Sequence, residues 1–359
     1  MTVIFSIILV LFSIIFSTHR NYKKASVILL MLAFFLSAFN TGNIDYGAYL
    51  YRFNSEEGEH EWLWNLLAIP AHKMGMSFVV FRILITFFCF WVIHWSVKRN
   101  SIRPDTFYYL YLIFPFALDV VQTRNFIVMS LLIAAFPFLM VRNLKNRLCF
   151  ILVMIIAAGF QTVAYIYIPL AFVDLFLDKI SVKKQLCGLV VILFVLNYLV
   201  GSYVNQFLGF IVNNYGNIDT RIGNIGNAGL SGIGYLMYWL FHACGAIYVY
   251  WAIKYDDRMT KSYMFFKTLL TAQIYISLTL PFIVFDSTFE RFSRNLIPLI
   301  FLGIAMSNKK IFSKNYIFGN KLKGVLFVGY ILVMCWMDII NGYMDTIVMP
   351  LFDNNLFNI

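Results

Sequence analysis

The stretch Ser77–Val97 decides the class of this chain; it reads SFVVFRILITFFCFWVIHWSV and is followed at once by Lys98 and Arg99. About 20 such residues are enough to cross the hydrocarbon core of a bilayer as a helix. Over the whole chain, 61% of the residues are hydrophobic and 13% are charged, which is more apolar surface than one soluble core can bury. The sequence therefore predicts a polytopic membrane protein.

Similar apolar runs repeat along the chain, and in lipid each must be helical because every backbone amide needs an internal partner. The others are Thr2–Phe16, Ala25–Phe39, Thr106–Leu118, Phe126–Val141, Leu148–Asp178, Leu186–Phe207, Ile233–Ile253, Tyr263–Phe285, Ser293–Met306 and Gly324–Ile340. Leu148–Asp178 is long for one span and is interrupted at Gly159 and Gln161, so we interpret it as two short helices that meet at the outer surface. This predicts an all-α bundle of about twelve transmembrane helices with both termini extracytoplasmic.

The basic residues predict the orientation of the bundle. Clusters of Lys and Arg recur between the runs, at residues 20–24, 98–103, 142–147, 179–184, 254–261 and 309–323, and they hold most of the chain's 28 bases. Connections rich in Lys and Arg stay on the cytoplasmic side, so the acidic connections between the clusters should lie outside. The net charge of +11 then reflects membrane topology, and binding of nucleic acid has no support.

We expect a single bundle domain, residues 1–359, with two larger extracytoplasmic connections at residues 40–76 and 208–232. The first apolar run has no basic residues ahead of it and no small-residue cleavage site after it, so it should be kept as a span. The five cysteines are scattered through apolar runs without close pairing, which argues against a disulfide framework or a metal site. No cofactor is expected.

The bases left on the outer side are almost all arginine, whereas the inner clusters are rich in lysine. They are Arg52, Arg82, Arg124, Arg221, Arg291 and Arg294, together with Lys73. The planar guanidinium group suits bidentate contact with phosphate or carboxylate and tolerates burial better than an ammonium group. We therefore expect these arginines to bind an anionic ligand. The alternative is that each reaches the lipid headgroups or pairs with an acid such as Asp119 or Glu290.

The first outer connection combines carboxylates with aromatic residues: Asp45, Tyr46, Tyr49, Arg52, Glu56, Glu57, Glu59, His60, Glu61, Trp62 and Trp64. Aromatic rings stack on the apolar faces of sugars, and carboxylates bind hydroxyls or take protons from them. The alternative is an aromatic belt at the membrane interface with a solvated acidic loop. Asp45 is the best candidate for a base, because it lies a few residues beyond a membrane helix and beside two tyrosines.

Four short motifs, in order along the chain, resemble those of the EpsG-like branch of the Wzy polysaccharide polymerases. They are Asp45-x3-Tyr49, Arg124-Asn125 at the start of a span, Phe160-Gln161-Thr162 in a helix break, and Arg291-Phe-Ser-Arg294 at the start of a late span. The family commonly has histidine where Gln161 stands, and often Arg-Gln in place of Arg124-Asn125. If that histidine is the base elsewhere, this chain must use another group, which favours Asp45.

The resemblance implies a bundle similar to the GT-C glycosyltransferases, located in the bacterial cytoplasmic membrane. It would act at the outer face on oligosaccharides linked to undecaprenyl diphosphate, which requires a base and stabilisation of the departing diphosphate. We expect Asp45, Arg124 and Arg294 to be catalytic. Substrate contacts are expected from Tyr46, Tyr49, Arg52, Glu59, Arg82, Asn125, Gln161, Arg221 and Arg291. Membrane lipid, a chain-length regulator and a flippase are the expected partners.

Three other functions stay open. A glycan ligase would share the diphosphate leaving group and the arginines. An acyltransferase would need a base near the bilayer, for which His60 and His72 are the outer histidines. A flippase or transporter for lipid-linked oligosaccharides should place charged residues deep in mid-span on both halves of the bundle. In this sequence the charges gather at the outer ends of the runs, which favours a polymerase.

Overall fold

The computed structural model describes residues 2–55, 61–177, 180–199, 232–255, 259–284, 287–307, 329, 332 and 344–356. These residues form helices, with no β-strand among them beyond an isolated bridge between Asn40 and Asn355. The all-α prediction is therefore confirmed.

The first eight α-helices are α1 (Thr2–Thr18), α2 (Tyr22–Ala38), α3 (Tyr46–Ser55), α4 (Trp62–Lys73), α5 (Phe78–Asn100), α6 (Pro104–Ile113), α7 (Phe116–Val121) and α8 (Thr123–Ala135). The later ones are α9 (Leu144–Phe160), α10 (Leu170–Leu177), α11 (Val182–Leu199), α12 (Gly232–Tyr255), α13 (Lys261–Ser277), α14 (Glu290–Arg294), α15 (Ile297–Met306) and α16 (Met349–Asp353). Short 3-10 helices span Phe136–Met140, Thr162–Tyr167, Leu280–Val284 and Ser287–Phe289, and a π-helical turn spans Met344–Val348.

Three helical stretches of the described chain are long and apolar enough to cross a membrane: Phe78–Asn100, Thr123–Met140 and Gly234–Lys254. Shorter apolar helices span Ser6–Thr18, Thr162–Leu175 and Cys187–Tyr198. Apolar side chains on α1 and α11, such as Leu11 and Phe194, are exposed, as expected of surfaces that face lipid. The protein is thus a polytopic membrane protein. The number of about twelve spans and the location of both termini stay predictions.

The predicted break in the sixth apolar run is confirmed. Helix α9 ends at Phe160, and Gln161 is extended, with φ −157° and ψ 127°. The chain then reverses through a 3-10 helix into α10. Near the far end of this hairpin, both guanidinium nitrogens of Arg147 donate to the carboxylate of Asp174, at 2.8 and 2.7 Å. The two arms therefore run antiparallel and are fastened together at their base.

Helix α5 connects two ends of the bundle that differ in chemistry. Near its start, Arg82 lies against the connection between α2 and α3. Beyond its last residue, Asn100, the neighbours are basic: Lys261 donates to the Asn100 side chain at 2.9 Å, and Arg103 pairs with Asp105 at 2.9 Å. We call these the Asp45 end and the Lys261 end.

The described chain begins and finishes at the Asp45 end. Helix α1 ends at the Lys261 end, where the Ser17 hydroxyl donates to Asp105 at 2.7 Å, so its first residue lies at the opposite end. At the other terminus, the backbone N–H of Leu356 donates to the carbonyl of Phe39 at 3.0 Å. This arrangement is the one required if both termini share one side of the membrane.

One close approach between helices positions the start of α4. A Cβ atom on Gly159 would meet the Leu63 side chain at 2.7 Å and the Trp62 ring at 2.9 Å. A side chain here would have to displace the Leu63 and Trp62 side chains, so the glycine allows α4 to pack closely against α9. As a result Glu61, which immediately precedes α4, lies near the helix break at Gln161.

Candidate active site

Asp45 lies in the connection that leads into α3, held by local hydrogen bonds. Its backbone N–H donates to the Asn43 side chain at 3.2 Å, and its carbonyl accepts from the N–H of Tyr49 at 3.1 Å. Burial raises the pKa of the Asp45 carboxyl, and the positive charges of Arg291, Arg124 and Arg52 oppose that shift. The carboxylate is therefore partly desolvated and lies within electrostatic reach of three guanidinium groups from different parts of the chain.

Two tyrosines of α3 carry arginines over their rings. The guanidinium carbon of Arg124 lies 5.5 Å from the centroid of the Tyr49 ring, and that of Arg82 lies 5.6 Å from the centroid of Tyr46. Tyr49 also contacts the Trp64 ring, with centroids 5.9 Å apart. Such contacts are typical of cation–π pairs, and they fix the aromatic surface beside Asp45.

Arg124, at the start of α8, forms an ion pair that sequence reasoning missed. Its Nη1 atom lies 2.8 Å from Oε2 of Glu61, and the two side chains are 12% and 6% exposed. Because this pair is largely shielded from water, it interacts more strongly than a surface ion pair does. The sequence places Glu61 in the first outer connection among other carboxylates, and the packing of Trp62 and Leu63 against Gly159 of α9 brings it here.

Arg294 is enclosed by partners. Its Nη1 lies 2.5 Å from Oε1 of Glu290 within α14, and its Nη2 donates to the side chain of Gln122 just ahead of α8. Arg294 is 2% exposed. Burial raises the pKa of Glu290, whereas the charges of Arg294 and Arg291 lower it. Arg294 therefore joins the start of α8 to α14.

Asp119 lies behind this pair, fully buried between α6 and α8. The Tyr111 hydroxyl donates to its Oδ2 at 3.0 Å, while Oδ1 has no hydrogen-bond partner among the described residues. Burial raises the pKa of Asp119 to about 7, against the opposing charge of Arg294. Near neutral pH this carboxyl can therefore hold or release a proton.

Arg291 differs from the other arginines at this end, because its guanidinium group forms no ion pair or hydrogen bond with the described residues. Its Nε atom is buried without a hydrogen-bond partner. Burial lowers the pKa of Arg291, as does the charge of Arg294, while Glu290, Tyr49 and Asp45 raise it. A buried donor without a partner costs free energy, so this group is available to an anionic ligand.

Arg82 is occupied by backbone groups. It is 3% exposed and donates to the carbonyls of Ser37 at 3.0 Å and Val120 at 3.4 Å, and also to that of Asn40. These contacts join the end of α2 to α7. The orphan carbonyls at the end of a helix need such donors, so Arg82 completes the local fold next to Tyr46.

Of the other residues expected to contact substrate, Asn125 and Gln161 are buried and Arg52 lies in the last turn of α3. The two amide atoms of Asn125 bond to Asn295. Gln161 is 7% exposed, and its Oε1 has no hydrogen-bond partner among the described residues. Glu59 and Arg221 lie outside the described residues. Within the described chain, no group of three or more His, Cys, Asp or Glu side chains could hold a metal ion.

Asp45, Arg124 and Arg291 thus come together from three separate segments, with Arg294 and Asp119 packed behind them. Comparison with known proteins places the chain in a family. The model of the EpsG family matches residues 23–348. No curated protein and no solved structure matches the chain. Because the match covers most of the sequence, the chain belongs to the EpsG family.

Proposed function

We propose that this protein polymerises oligosaccharide repeat units linked to undecaprenyl diphosphate, at the outer face of the bacterial cytoplasmic membrane. EpsG-like proteins are Wzy-type polysaccharide polymerases. The observation that best supports the proposal is the convergence of Asp45, Arg124 and Arg291 at one end of the bundle, because glycosyl transfer from a diphosphate needs a base beside an anion site. The Asp45 end would then be the outer end.

In the proposed reaction, an acceptor hydroxyl of the incoming repeat unit attacks the anomeric carbon of the growing chain. The bond between that carbon and the phosphate oxygen breaks, and its electron pair leaves with the lipid diphosphate. The hydroxyl proton passes to Asp45. The burial that raises the pKa of Asp45 makes it a stronger base, while the neighbouring arginines keep it ionised.

Arg291 and Arg124 would stabilise the diphosphate as negative charge develops on it. Arg291 has a free donor beside Asp45, so it can bind the phosphates without giving up an existing contact. Arg124 is bound to Glu61 and lies over the Tyr49 ring, so its positive charge acts on the same place. Arg294, held by Glu290 and Gln122, adds positive charge from behind in a site of low dielectric constant.

The sugars would lie along the rest of the site. Tyr49 and Tyr46 offer aromatic faces for stacking, and Gln161 offers a buried carbonyl oxygen to a sugar hydroxyl. Arg52, Glu59 and Arg221 remain proposed contacts. For Arg82 and Asn125, whose polar atoms bond to other parts of the protein, we propose that they support the site without reaching substrate. Membrane lipid, a chain-length regulator and a flippase remain the proposed partners.

The distribution of charge supports an enzyme over a transporter. In the three described stretches that could cross a membrane, every Lys and Arg lies within five residues of an end: Arg82, Lys98, Arg99, Arg124 and Lys254. A transporter would be expected to place charged groups at the midplane. For an acyltransferase, His60 lies outside the described residues, and His72 packs against Phe53 with centroids 5.3 Å apart.

Deletion of the gene, followed by gel analysis of the lipid-linked glycans, tests the proposal. Loss of a polymerase leaves single repeat units on the lipid at the outer face, and we expect this pattern. Loss of a ligase would leave full-length polymer on the lipid. Loss of a flippase would leave the repeat units on the cytoplasmic side, inaccessible to an enzyme added from outside. Either of the last two patterns would contradict the proposal.

A further inference from the structure

Two tripeptides of the chain repeat one pattern, a hydroxyl residue followed by Arg-Asn. They are Thr123-Arg124-Asn125 at the start of α8 and Ser293-Arg294-Asn295 between α14 and α15. Each is followed by an aliphatic helix, and each arginine binds a carboxylate from another position, Glu61 or Glu290. On sequence alone, the two arginines group with the other outer arginines, and Asn295 is not named as a site residue.

The asparagines of the two tripeptides bind each other. Nδ2 of Asn125 donates to Oδ1 of Asn295 at 2.9 Å, and Nδ2 of Asn295 donates to Oδ1 of Asn125 at 3.0 Å. The two residues are 0% and 1% exposed and lie 170 positions apart in the sequence. Side-chain amides commonly join helices inside membranes in this way, but a reciprocal pair also fixes the rotation of both helices.

We infer that Asn125 and Asn295 are positioning residues, which set the two arginines beside them at a fixed separation around the departing diphosphate. This inference rests on the proposed function. Each asparagine is adjacent to its arginine in the chain, so a bond that fixes the asparagine leaves the backbone of the arginine little freedom. The hydrogen bond from Arg294 to Gln122 joins the two segments a second time. Catalysis by positioned charges depends on such fixed geometry, because donors that must reorganise during reaction contribute less.

The test replaces both asparagines together. In Asn125→Leu/Asn295→Leu both polar groups are removed, so neither amide is left buried without a partner and the cost to folding is small. We expect a normal thermal midpoint, a kcat lower by about 10- to 100-fold and a nearly unchanged KM. Rates are measured in proteoliposomes with full-length protein and single lipid-linked repeat units extracted from the deletion strain.

A second pair of substitutions guards against misfolding of the first. In Asn125→Ser/Asn295→Ser each serine hydroxyl can bond to a carbonyl one turn back. The serine side chains are too short to reach each other, so kcat should fall in the same way. If either folded pair keeps the kcat of the parent, the inference is overturned.

The matched control is Ser96→Ala. The Ser96 hydroxyl donates to the carbonyl of Ile133 at 3.0 Å, a buried bond to the same helix α8 but toward its other end. This variant should lose some thermal stability and keep the parent kcat. An equal fall in kcat would mean that any loosening of α8 slows the reaction, and would also overturn the inference.

The arginines themselves separate this inference from the proposed function. If Arg124→Lys and Arg294→Lys both polymerise like the parent, the proposed role of the arginines fails, and the asparagines have nothing to position. If the lysine variants are defective while the leucine pair is not, only the positioning role is lost.

Discussion

The two ends of this bundle both carry buried ion pairs, but they differ in how fully the polar atoms are used. At the Lys261 end, both oxygens of Asp174 accept from Arg147, and Asp105 accepts from Arg103 and Ser17. At the Asp45 end, the polar atoms buried without a hydrogen-bond partner among the described residues include Asp119 Oδ1, Gln161 Oε1, Glu290 Oε2 and Arg291 Nε.

This difference indicates which charges hold the fold and which await a ligand. Buried polar groups in native proteins are almost always bonded, and each exception calls for an explanation. A set of exceptions gathered beside a carboxylate of raised pKa is typical of a functional site. The pairs at the Lys261 end have no such vacancies, so we assign them to the assembly of the helices.

The largest expected effect is that of Asp45→Asn, which removes the proposed base but keeps the shape of the side chain. The specific rate of polymerisation should fall by about 10²–10⁴-fold, the usual contribution of a general base, with binding of the lipid-linked repeat unit retained. The rate is measured in proteoliposomes at equal amounts of folded protein. A parent-like rate would remove Asp45 from the mechanism.

Next come the conservative variants Arg124→Lys and Arg294→Lys, which keep the charge but lose the planar fork of donors. We expect each to lower kcat by about 10²-fold, the loss typical of removing one transition-state donor. Glycan chain length in cells and protein level on immunoblots are measured together. Short chains at a normal protein level support the prediction, and full-length chains in both variants contradict it.

The other end of the bundle should respond in stability instead of rate. Asp174→Asn leaves Arg147 without its carboxylate partner in a place that is largely shielded from water, and breaking such a pair costs about 3 kcal/mol. The thermal midpoint of the detergent-purified protein should fall while kcat per folded molecule is unchanged. A change in kcat with normal stability would contradict the assignment of this pair to the assembly of the helices.

The last expected effect is a shift in the position of the pH profile, apart from any loss of rate caused by removal of a proposed phosphate contact. Burial raises the pKa of Asp45, and Arg291 is the strongest of the charges that oppose this rise. A base must be ionised, so activity is lost as the pH falls through this pKa. In Arg291→Gln the pKa should rise further, and the acid limb of kcat against pH should therefore move to higher pH.

Arg142→Gln provides the control for the pH profile. Arg142 lies at the Lys261 end, partly exposed, with its Nε 3.6 Å from Oδ2 of Asp174. The charges that act on the Asp45 carboxyl are instead those of Arg291, Arg124 and Arg52. The acid limb of this variant should coincide with that of the parent. An unmoved limb in Arg291→Gln would mean that a group other than Asp45 controls the acid side of the profile.

The local features of the fold could be predicted from the sequence, because they depend on neighbouring residues. Composition predicted helices, and Gly159 with Gln161 predicted the break that ends α9 at Phe160. The outer arginines could be singled out as a group from the sequence, since a cation near lipid needs a partner. Which partner each one has could not be read from the sequence.

The contacts of the candidate site depend on segments that are far apart in the chain. Arg124 meets Glu61 across 63 positions, and Asn125 meets Asn295 across 170. Such contacts cannot be predicted from periodicity or spacing. The close packing of α4 against α9 also depends on Gly159, which has no side chain. The burial of Asp119 likewise follows only from the packing of α6, α7 and α8 around it.

The hairpin of α9 and α10 is held by an ion pair at one end. The bond between Arg147 and Asp174 secures its base, so the tip at Gln161 can change its chemistry without loosening its attachment. This tip carries Gln161, whose buried Oε1 atom has no hydrogen-bond partner among the described residues. A substitution at Gln161 should therefore change the polar groups at the tip while the attachment of the hairpin is kept.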